Sequence, residues 1–296
     1  MKPTIAFTGG HYNSSLVIAK ALLGENYPVV WFGHKYVTTK DKALSAEYVE
    51  VTANNIPFYT LKAGKFYRHF NPLEYFKIFF GFVQSFVYLL RTRPSLIISF
   101  GGYLAVPVVI SGFFLRIPSL THEQTAIIGW ANKAMAPFVK KIMVAHSSSA
   151  AHFPKRKVAL VGMPIEAEIT NVKNKKDFSP PLLFITCGKQ GSHTINKAVF
   201  PIIPELVKHY TVVHQLGSAS AFKDANFARR LKERMGDLAK RYHTAPYYFG
   251  KDYATYLRSA AIIVSRCGAH TCYKIAYLKK RSVLIPIPWV SHNEQM

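Results

Sequence analysis

Thr8-Gly9-Gly10-His11 sets two glycines and a titratable imidazole directly behind an apolar run. Glycines in such a turn let a ligand approach the backbone, and the start of the helix that follows favours negative charge. His11 can act there as a general base or as an orienting donor. Ser99-Phe100-Gly101-Gly102-Tyr103 is a second glycine turn behind an apolar run, and Thr121-His122-Glu123-Gln124 is a third polar run end. Three such clusters in one half of the chain mark a site rather than loop decoration. In the second half, Gly188-Lys189-Gln190-Gly191 precedes a helical stretch containing Asn196. Ser265-Arg266-Cys267-Gly268-Ala269-His270-Thr271 is another strand-to-helix turn, and its helix start can hold a diphosphate through backbone N–H groups and the helix dipole. Pro286-Ile287-Pro288 then leads into Ser291-His292-Asn293-Glu294-Gln295. The chain has no complete Gly-x-Gly-x-x-Gly, no Asp-x-Asp, no Walker lysine motif and no Gly-x-Ser-x-Gly. Phosphate neutralisation therefore falls to helix ends and basic side chains, without a carboxylate-held metal.

The elements that must carry these clusters alternate. Thr4 to Thr8, Tyr27 to Phe32, Ser95 to Phe100, Pro118 to Thr121, Lys141 to Ala145 and Val158 to Val161 read as short buried strands. Helical stretches lie between them, such as the one running to Leu23 and Gly129 to Phe138. The pattern then restarts: Met163-Pro164 and the polar stretch Asn171 to Pro181 read as a linker. Leu182 to Thr186, Val212 to Gln215, Tyr247 to Phe249, Ile262 to Ser265 and Val283 to Ile287 form a second set of strands. Alternation of this kind predicts parallel sheets with helices on both faces, here two doubly wound domains facing one cleft. Ligands in such sheets bind beyond the carboxyl ends of the strands, where the glycine turns are.

The 296 residues are 49% hydrophobic, enough to bury a core in each of two domains. Charge is lopsided, with 38 Lys plus Arg against 15 Asp plus Glu and a formal net charge of +23, which calls for an anionic partner. No zinc-finger spacing or RNA-binding sheet signature is present, which turns the reading away from nucleic acid. Three cysteines, Cys187, Cys267 and Cys272, fit a reducing compartment better than a disulfide framework. The opening MKPTIAFTGGH lacks the apolar run of a secretory signal, so the expectation is a cytoplasmic protein.

Ile78 to Leu90 runs without a charge, but it falls short of the roughly 20 residues needed to span a bilayer. Phe76, Phe79, Phe80, Val83 and Val87 share one helical face, while Ile78, Phe82 and Leu89 occupy others. Once one face packs, apolar surface is left over. Two readings stand: a core helix, or a helix lying on a membrane with Lys62, Lys65, Arg68, Lys77, Arg91 and Arg93 meeting anionic headgroups.

The ordered set of motifs resembles one family over nearly the whole chain. It comprises Thr8-Gly9-Gly10-His11; Gly101-Gly102-Tyr103 with Pro107; His122-Glu123-Gln124 with Asn132-Lys133; Val161-Gly162-x-Pro164; Gly188-x-Gln190-Gly191 with Asn196; His214-Gln215-x-Gly217; Ser265-Arg266-x-Gly268-Ala269 with Thr271; and Gln295. It is similar to the lipid II-forming N-acetylglucosaminyltransferases of glycosyltransferase family 28. The resemblance implies an α/β GT-B fold with an acceptor- and membrane-binding domain over 1–163 and a nucleotide-sugar domain over 164–296. It implies inverting transfer from UDP-N-acetylglucosamine to an undecaprenyl-pyrophosphoryl lipid acceptor, by a peripheral enzyme on the cytoplasmic face of the membrane, without a cofactor or obligatory metal. His11 or Glu123 becomes the base. Tyr103, His122 and Asn132 line the acceptor side, with Glu123 beside them. Thr8, Gly9, Gly10, Thr125, Glu166, Lys189, Gln190, Gly250, Ala269, His270, Thr271, Lys274 and Gln295 fall on the donor side.

The chain also departs from the family pattern. Thr125 stands for an asparagine, Met163 for an asparagine, Glu166 for a phosphate-binding arginine, Lys189 for a serine and Lys274 for the glutamate that grips the ribose; a Gln-Gln pair becomes Glu294-Gln295. A carboxylate at 166 is expected to weaken diphosphate binding, with Lys189 and Lys274 restoring positive charge nearby. The family's chains continue past the step matching Met296, so the donor domain is expected to be incomplete as given. A relative with another donor or lipid acceptor, and an inactive lipid-binding relative, are the alternatives that these departures raise.

Overall fold

The computed structural model describes residues 2–36, 44–62, 64, 72–172, 176–187, 191–217 and 223–286. The chain divides into two compact units, Met1–Pro164 and Ile165–Met296. The first runs β1 (Ile5–Thr8), α1 (Tyr12–Gly24), β2 (Val29–Gly33), α2 (Ala46–Ala53), β3 (Phe58–Thr60), α3 (Pro72–Thr92), β4 (Leu96–Ser99), α4 (Ala105–Phe114), β5 (Ser119–Glu123), α5 (Trp130–Met135), β6 (Lys141–Val144), α6 (Ser147–Ala150) and β7 (Val158–Leu160). All its strand pairs are parallel, in the order β3-β2-β1-β4-β5-β6-β7. The order reverses between β1 and β4, and the carboxyl ends at such a switch point open a crevice.

Full burial on both sheet faces explains the unbroken apolar runs of β1 and β2. One core layer gathers Phe32, Ile97, Val108, Val109, Met135 and Ile142; the other gathers Phe7, Trp31, Val51 and Ile98. Phe7 and Trp31 stack at 5.7 Å between ring centroids across β1 and β2.

The second unit runs α7 (Ala167–Thr170), β8 (Leu182–Thr186), α8 (His193–Val199), α9 (Ile203–His209), β9 (Thr211–Gln215), α10 (Asp224–Arg234), β10 (Tyr242–Ala245), α11 (Gly250–Ser259), β11 (Ile262–Arg266), α12 (Ala269–Tyr277) and β12 (Arg281–Ile285). Its parallel sheet is ordered β10-β9-β8-β11-β12, with the switch between β8 and β11. It has a core layer on each face, one around Ile185, Ile203 and Val212, the other around Phe184, Val213 and Ile263.

Four sequence expectations change. The strand read at Tyr247 to Phe249 lies at Tyr242–Ala245, where Tyr242 is buried and pairs with Val212 of β9. Backbone bonds to this strand run on to Pro246 O, which accepts the Gly217 N–H at 2.9 Å, and Tyr248 N–H then donates to Gln215 Oε1 at 3.3 Å. β3 had no strand signal of its own; three half-buried residues hold an edge position beside β2. Of the residues read as a linker, Met163-Pro164 close the first unit, and the described part of Asn171 to Pro181 belongs to the second, where Val172 and Phe178 pack on its core.

α3 supplies the fourth. Its packed side is Gly81, Ser85 and Leu89; the small Gly81 and Ser85 let it approach α4, with the Ser111 hydroxyl donating to Phe82 O at 3.4 Å. Phe76, Phe79, Phe80, Val83 and Val87 face solvent, as do Phe86 and Leu90. The strongest apolar face is therefore the uncovered one. Among the described residues, no helix is long and apolar enough to cross a membrane.

Candidate active site

In the first unit the glycine turns of β1 and β4 interlock. Gly9 has φ +137°, and a Cβ there would meet the Phe100 backbone nitrogen at 2.6 Å. Gly10 N–H donates to Gly101 O at 2.9 Å, and a side chain at Gly102 would meet Gly10 N at 2.7 Å. Backbone is pressed on backbone here, which only glycine allows. The turn delivers His11 to the head of α1, which is tied to the end of β5 by the Ser14 hydroxyl donating to Gln124 Oε1 at 2.9 Å.

Glu123, at the carboxyl end of β5, is buried and holds four donors. Oε1 receives the Thr125 N–H at 3.2 Å and the Thr125 hydroxyl at 2.9 Å; Oε2 receives the Gly129 N–H and Asn132 Nδ2, each at 2.9 Å. A carboxylate has about four acceptor positions, so this one is saturated and acts as the pin of the 123–132 loop. Asn132 completes the pin by accepting the Thr121 hydroxyl at 2.7 Å and donating to His122 O at 3.2 Å. It also lies against Gly101, where a Cβ would meet Nδ2 at 3.0 Å.

The His122 ring contacts Phe100, and its Nε2 is 2.9 Å from Gly162 O. Burial lowers its pKa, against the opposing pull of that carbonyl and Glu123, so the ring is neutral at pH 7. A carbonyl at Nε2 requires the proton there, which leaves Nδ1 as an acceptor. His122 Nδ1 and Thr8 Oγ1 are both buried without a partner among the described residues. Orphaned polar atoms at strand ends are what a ligand would satisfy. Burial also lowers the pKa of His11; Glu123 pulls it back up, and His122 pushes it down. His11, His122 and Glu123 thus form one electrostatic cluster beside the interlocked glycines.

In the second unit, Ala269, His270 and Thr271 make the first turn of α12, directly behind β11 and its Gly268 cap. Lys274, one turn on, is buried, and its Nζ lies 2.5 Å from Glu166 Oε1. The positive charge expected of Lys274 is therefore neutralised by Glu166 itself. Glu166 Oε2 is buried without a partner among the described residues. Gly250 opens α11 with φ +45°, and Tyr247 and Tyr253 on either side of it lie close enough to Glu166 for its charge to raise their pKa values, after burial. Lys189, Gln190 and Gln295 lie outside the described residues.

Behind the Gly191 turn runs a buried polar chain. The turn needs φ +77° and lies so close to Leu216 O that a Cβ would meet it at 2.3 Å. Asn196 Nδ2 donates to Leu216 O at 2.9 Å and to Asp224 Oδ2 at 2.7 Å, leaving Oδ1 to accept from His214 Nε2 at 3.0 Å. His214 Nδ1 then accepts the Tyr242 hydroxyl at 3.0 Å, and Asp224 Oδ1 holds His193 Nδ1 at 2.8 Å.

The model of the glycosyltransferase family 28 N-terminal domain matches residues 7–144, and that of the family's C-terminal domain matches residues 182–296. The chain belongs to glycosyltransferase family 28. A Treponema denticola protein named UDP-N-acetylglucosamine–N-acetylmuramyl-(pentapeptide) pyrophosphoryl-undecaprenol N-acetylglucosamine transferase is 30% identical over 294 residues, 95% of this chain and 75% of its own. A Bacillus cereus protein of the same name, numbered 2, is 30% identical over 308 residues, covering 99% and 82%. The crystal structure of Acinetobacter baumannii MurG aligns with a TM-score of 0.71 at 20% identity, covering 99% of this chain and 80% of that one. That likeness gives the family 28 chain the two-domain GT-B fold.

The family 28 motifs account for the clusters at the ends of β1, β4, β5 and β11. They did not single out Ser14, His34 or Tyr253. Ser14 carried no signal beyond its place in a helical stretch. His34 sits where the second apolar run ends, which is itself a strand-end position. Tyr253 was hidden inside an aromatic-rich helix.

Proposed function

We propose that this family 28 enzyme transfers N-acetylglucosamine from UDP-N-acetylglucosamine to the muramoyl 4-hydroxyl of undecaprenyl-linked lipid I, giving lipid II for peptidoglycan. The observation that carries the reading is 30% identity across 95% of the chain to a relative named for this reaction. The first unit takes the acceptor, and the second takes the donor. The acceptor hydroxyl attacks the anomeric carbon, the bond from that carbon to the diphosphate oxygen breaks with inversion, and UDP leaves with the electron pair. His11 receives the hydroxyl proton: its lowered pKa keeps the ring neutral and able to accept at neutral pH. Glu123, with its four donors in place, orients the loop and favours the imidazolium that forms. Thr8, Gly9, Gly10 and Thr125 approach the phosphates and transferred sugar; Tyr103, His122 and Asn132 shape the acceptor side. Gly250, Ala269, His270, Thr271 and the Glu166–Lys274 pair, with Lys189, Gln190 and Gln295, form the donor side.

The uncovered face of α3 supports docking on an anionic membrane surface, with apolar side chains entering the lipid and the basic excess of the chain facing headgroups. The enzyme then works peripherally, on the cytoplasmic face, without nucleic acid as partner. The deciding experiment measures UDP release from UDP-N-acetylglucosamine with and without a lipid I analogue in vesicles. Acceptor-dependent release supports the transferase; vesicle binding without release points to an inactive lipid-binding relative. One observation favours a second reading: Lys274 is committed to Glu166, which reshapes the donor side. Stronger competition by another nucleotide sugar would establish a different donor.

A further inference from the structure

The Tyr103 hydroxyl is hydrogen-bonded to His34 Nε2, and the two rings lie 5.6 Å apart between centroids at 46°. The bond joins two strands that are not neighbours. Tyr103 leaves the glycine turn of β4, and His34 is the first residue past β2; β1 pairs with both and lies between them. A side-chain bond between these positions passes the carboxyl end of β1, where Gly9 and Gly10 present bare backbone. A side chain at Gly102 would meet Gly10 N at 2.7 Å, and one at Gly9 would meet the Phe100 backbone, so the space under the bridge is shaped by glycine on both sides.

His34 is itself held at both backbone groups. Its N–H donates to Glu47 Oε2 at 3.4 Å, and its carbonyl accepts the Ser45 hydroxyl at 2.5 Å. Ser45 also caps α2, accepting the Tyr48 N–H at 3.0 Å. The other Glu47 oxygen receives the Trp31 indole N–H at 2.7 Å, and a Cβ at Gly33 would meet that oxygen at 2.5 Å. The backbone that carries the imidazole is thus anchored to β2 and α2.

We infer that His34 is a positioning residue for the acceptor half of the reaction: it fixes the Tyr103 hydroxyl across the Gly9–Gly10 turn, so that Tyr103 meets the acceptor sugar in one orientation. A tyrosine held at its ring by packing and at its hydroxyl by a second strand loses little freedom when substrate arrives, which is how preorganisation strengthens binding. The inference rests on the reading that places Tyr103 on the acceptor side.

The test compares His34→Ala, His34→Gln, Tyr103→Phe and the His34→Ala/Tyr103→Phe double variant. The steady-state readout is the KM of a lipid I analogue against the KM of UDP-N-acetylglucosamine. His34→Ala should raise the acceptor KM on the order of 10-fold and leave the donor KM within about 2-fold. His34→Gln, whose amide can meet a hydroxyl, should recover most of the loss. The double variant should be no worse than the worse single one, because both remove the same bond. Additive losses, or equal shifts in both KM values, would overturn the assignment. A second arm needs no turnover: with ¹³Cζ-labelled tyrosine, the Tyr103 resonance, identified by its absence in Tyr103→Phe, should move in His34→Ala and return toward its place in His34→Gln. A resonance unmoved by His34→Ala would show that the bond is not held in solution and end the proposal. A wild-type chain that transfers no sugar, with the resonance shift intact, would instead bring down the functional reading on which the acceptor role depends.

Discussion

Lys274 Nζ sits 2.5 Å from Glu166 Oε1, tying α12 to the residue just ahead of α7. The family resemblance puts a phosphate-binding arginine at 166 and a ribose-binding glutamate at 274, so both positions carry the opposite charge here, and in this chain the two are paired with each other. Lys274→Ala should destabilise the second unit by about 1–2 kcal/mol, discounted because the Glu166 side chain keeps 32% exposure, and should raise the KM for donor. The swapped double variant Glu166→Lys/Lys274→Glu should recover most of the stability in a urea titration. Losses that simply add would show that the two groups are not coupled.

His11 should set the acid limb of the pH–rate profile. Burial lowers its pKa below the ordinary 6.5, and a base works only when unprotonated, so kcat/KM should hold as pH falls through 6.5 and decline only below it. His11→Ala should lower turnover about 10²–10⁴-fold and abolish that limb. Glu123→Gln, which turns an amide donor toward groups that already donate, should lower turnover yet preserve the limb. A limb that survives His11→Ala would move the proton to another group.

The α3 face should be removable without harm to the fold. Phe76 and Phe79 are 69% and 66% exposed, so Phe76→Glu/Phe79→Glu opens no cavity and should leave the melting transition nearly unchanged. Co-sedimentation with anionic vesicles should fall at least several-fold. Equal sedimentation of variant and wild type would place the membrane contact elsewhere.

Acid should loosen the second unit through His214. Burial depresses its folded pKa to about 4, while the unfolded chain titrates near 6.5. The unfolded state therefore takes up the proton first, so the contribution is complete above about 6.5 and is lost as pH falls toward 4, at roughly 3 kcal/mol in total. Protonation also places a donor at Nδ1 opposite the Tyr242 hydroxyl, which must then turn round. His214→Gln should flatten the decline in denaturant midpoint between pH 6.5 and 4; an unchanged slope would assign it to other groups.

Sequence made the sheets legible because buried parallel strands are written as continuous apolar runs, and β1, β4, β8 and β11 each end in the polar or glycine-rich cluster that marked them. It misplaced β10 because Tyr247 to Phe249 is more aromatic than Tyr242–Ala245, and only pairing with β9 decides between them. The packed face of α3 was illegible for a related reason. Periodicity locates the apolar stripe, but a helix against a close neighbour buries its small residues, here Gly81 and Ser85, and leaves the stripe outside. In the site, His11, His122 and Glu123 were visible as residue types at strand ends. The saturation of Glu123 was not, because two of its four donors are backbone N–H groups, which every sequence possesses.

If the open row of aromatic side chains on α3 seats the enzyme on a bilayer, as proposed, it changes how acceptor must be counted. A protein riding on a bilayer meets a lipid by diffusion in a plane, so encounter follows the acceptor's mole fraction among lipids rather than its bulk molarity. Diluting the vesicles with inert phospholipid then slows turnover while every molecule of substrate remains in the tube.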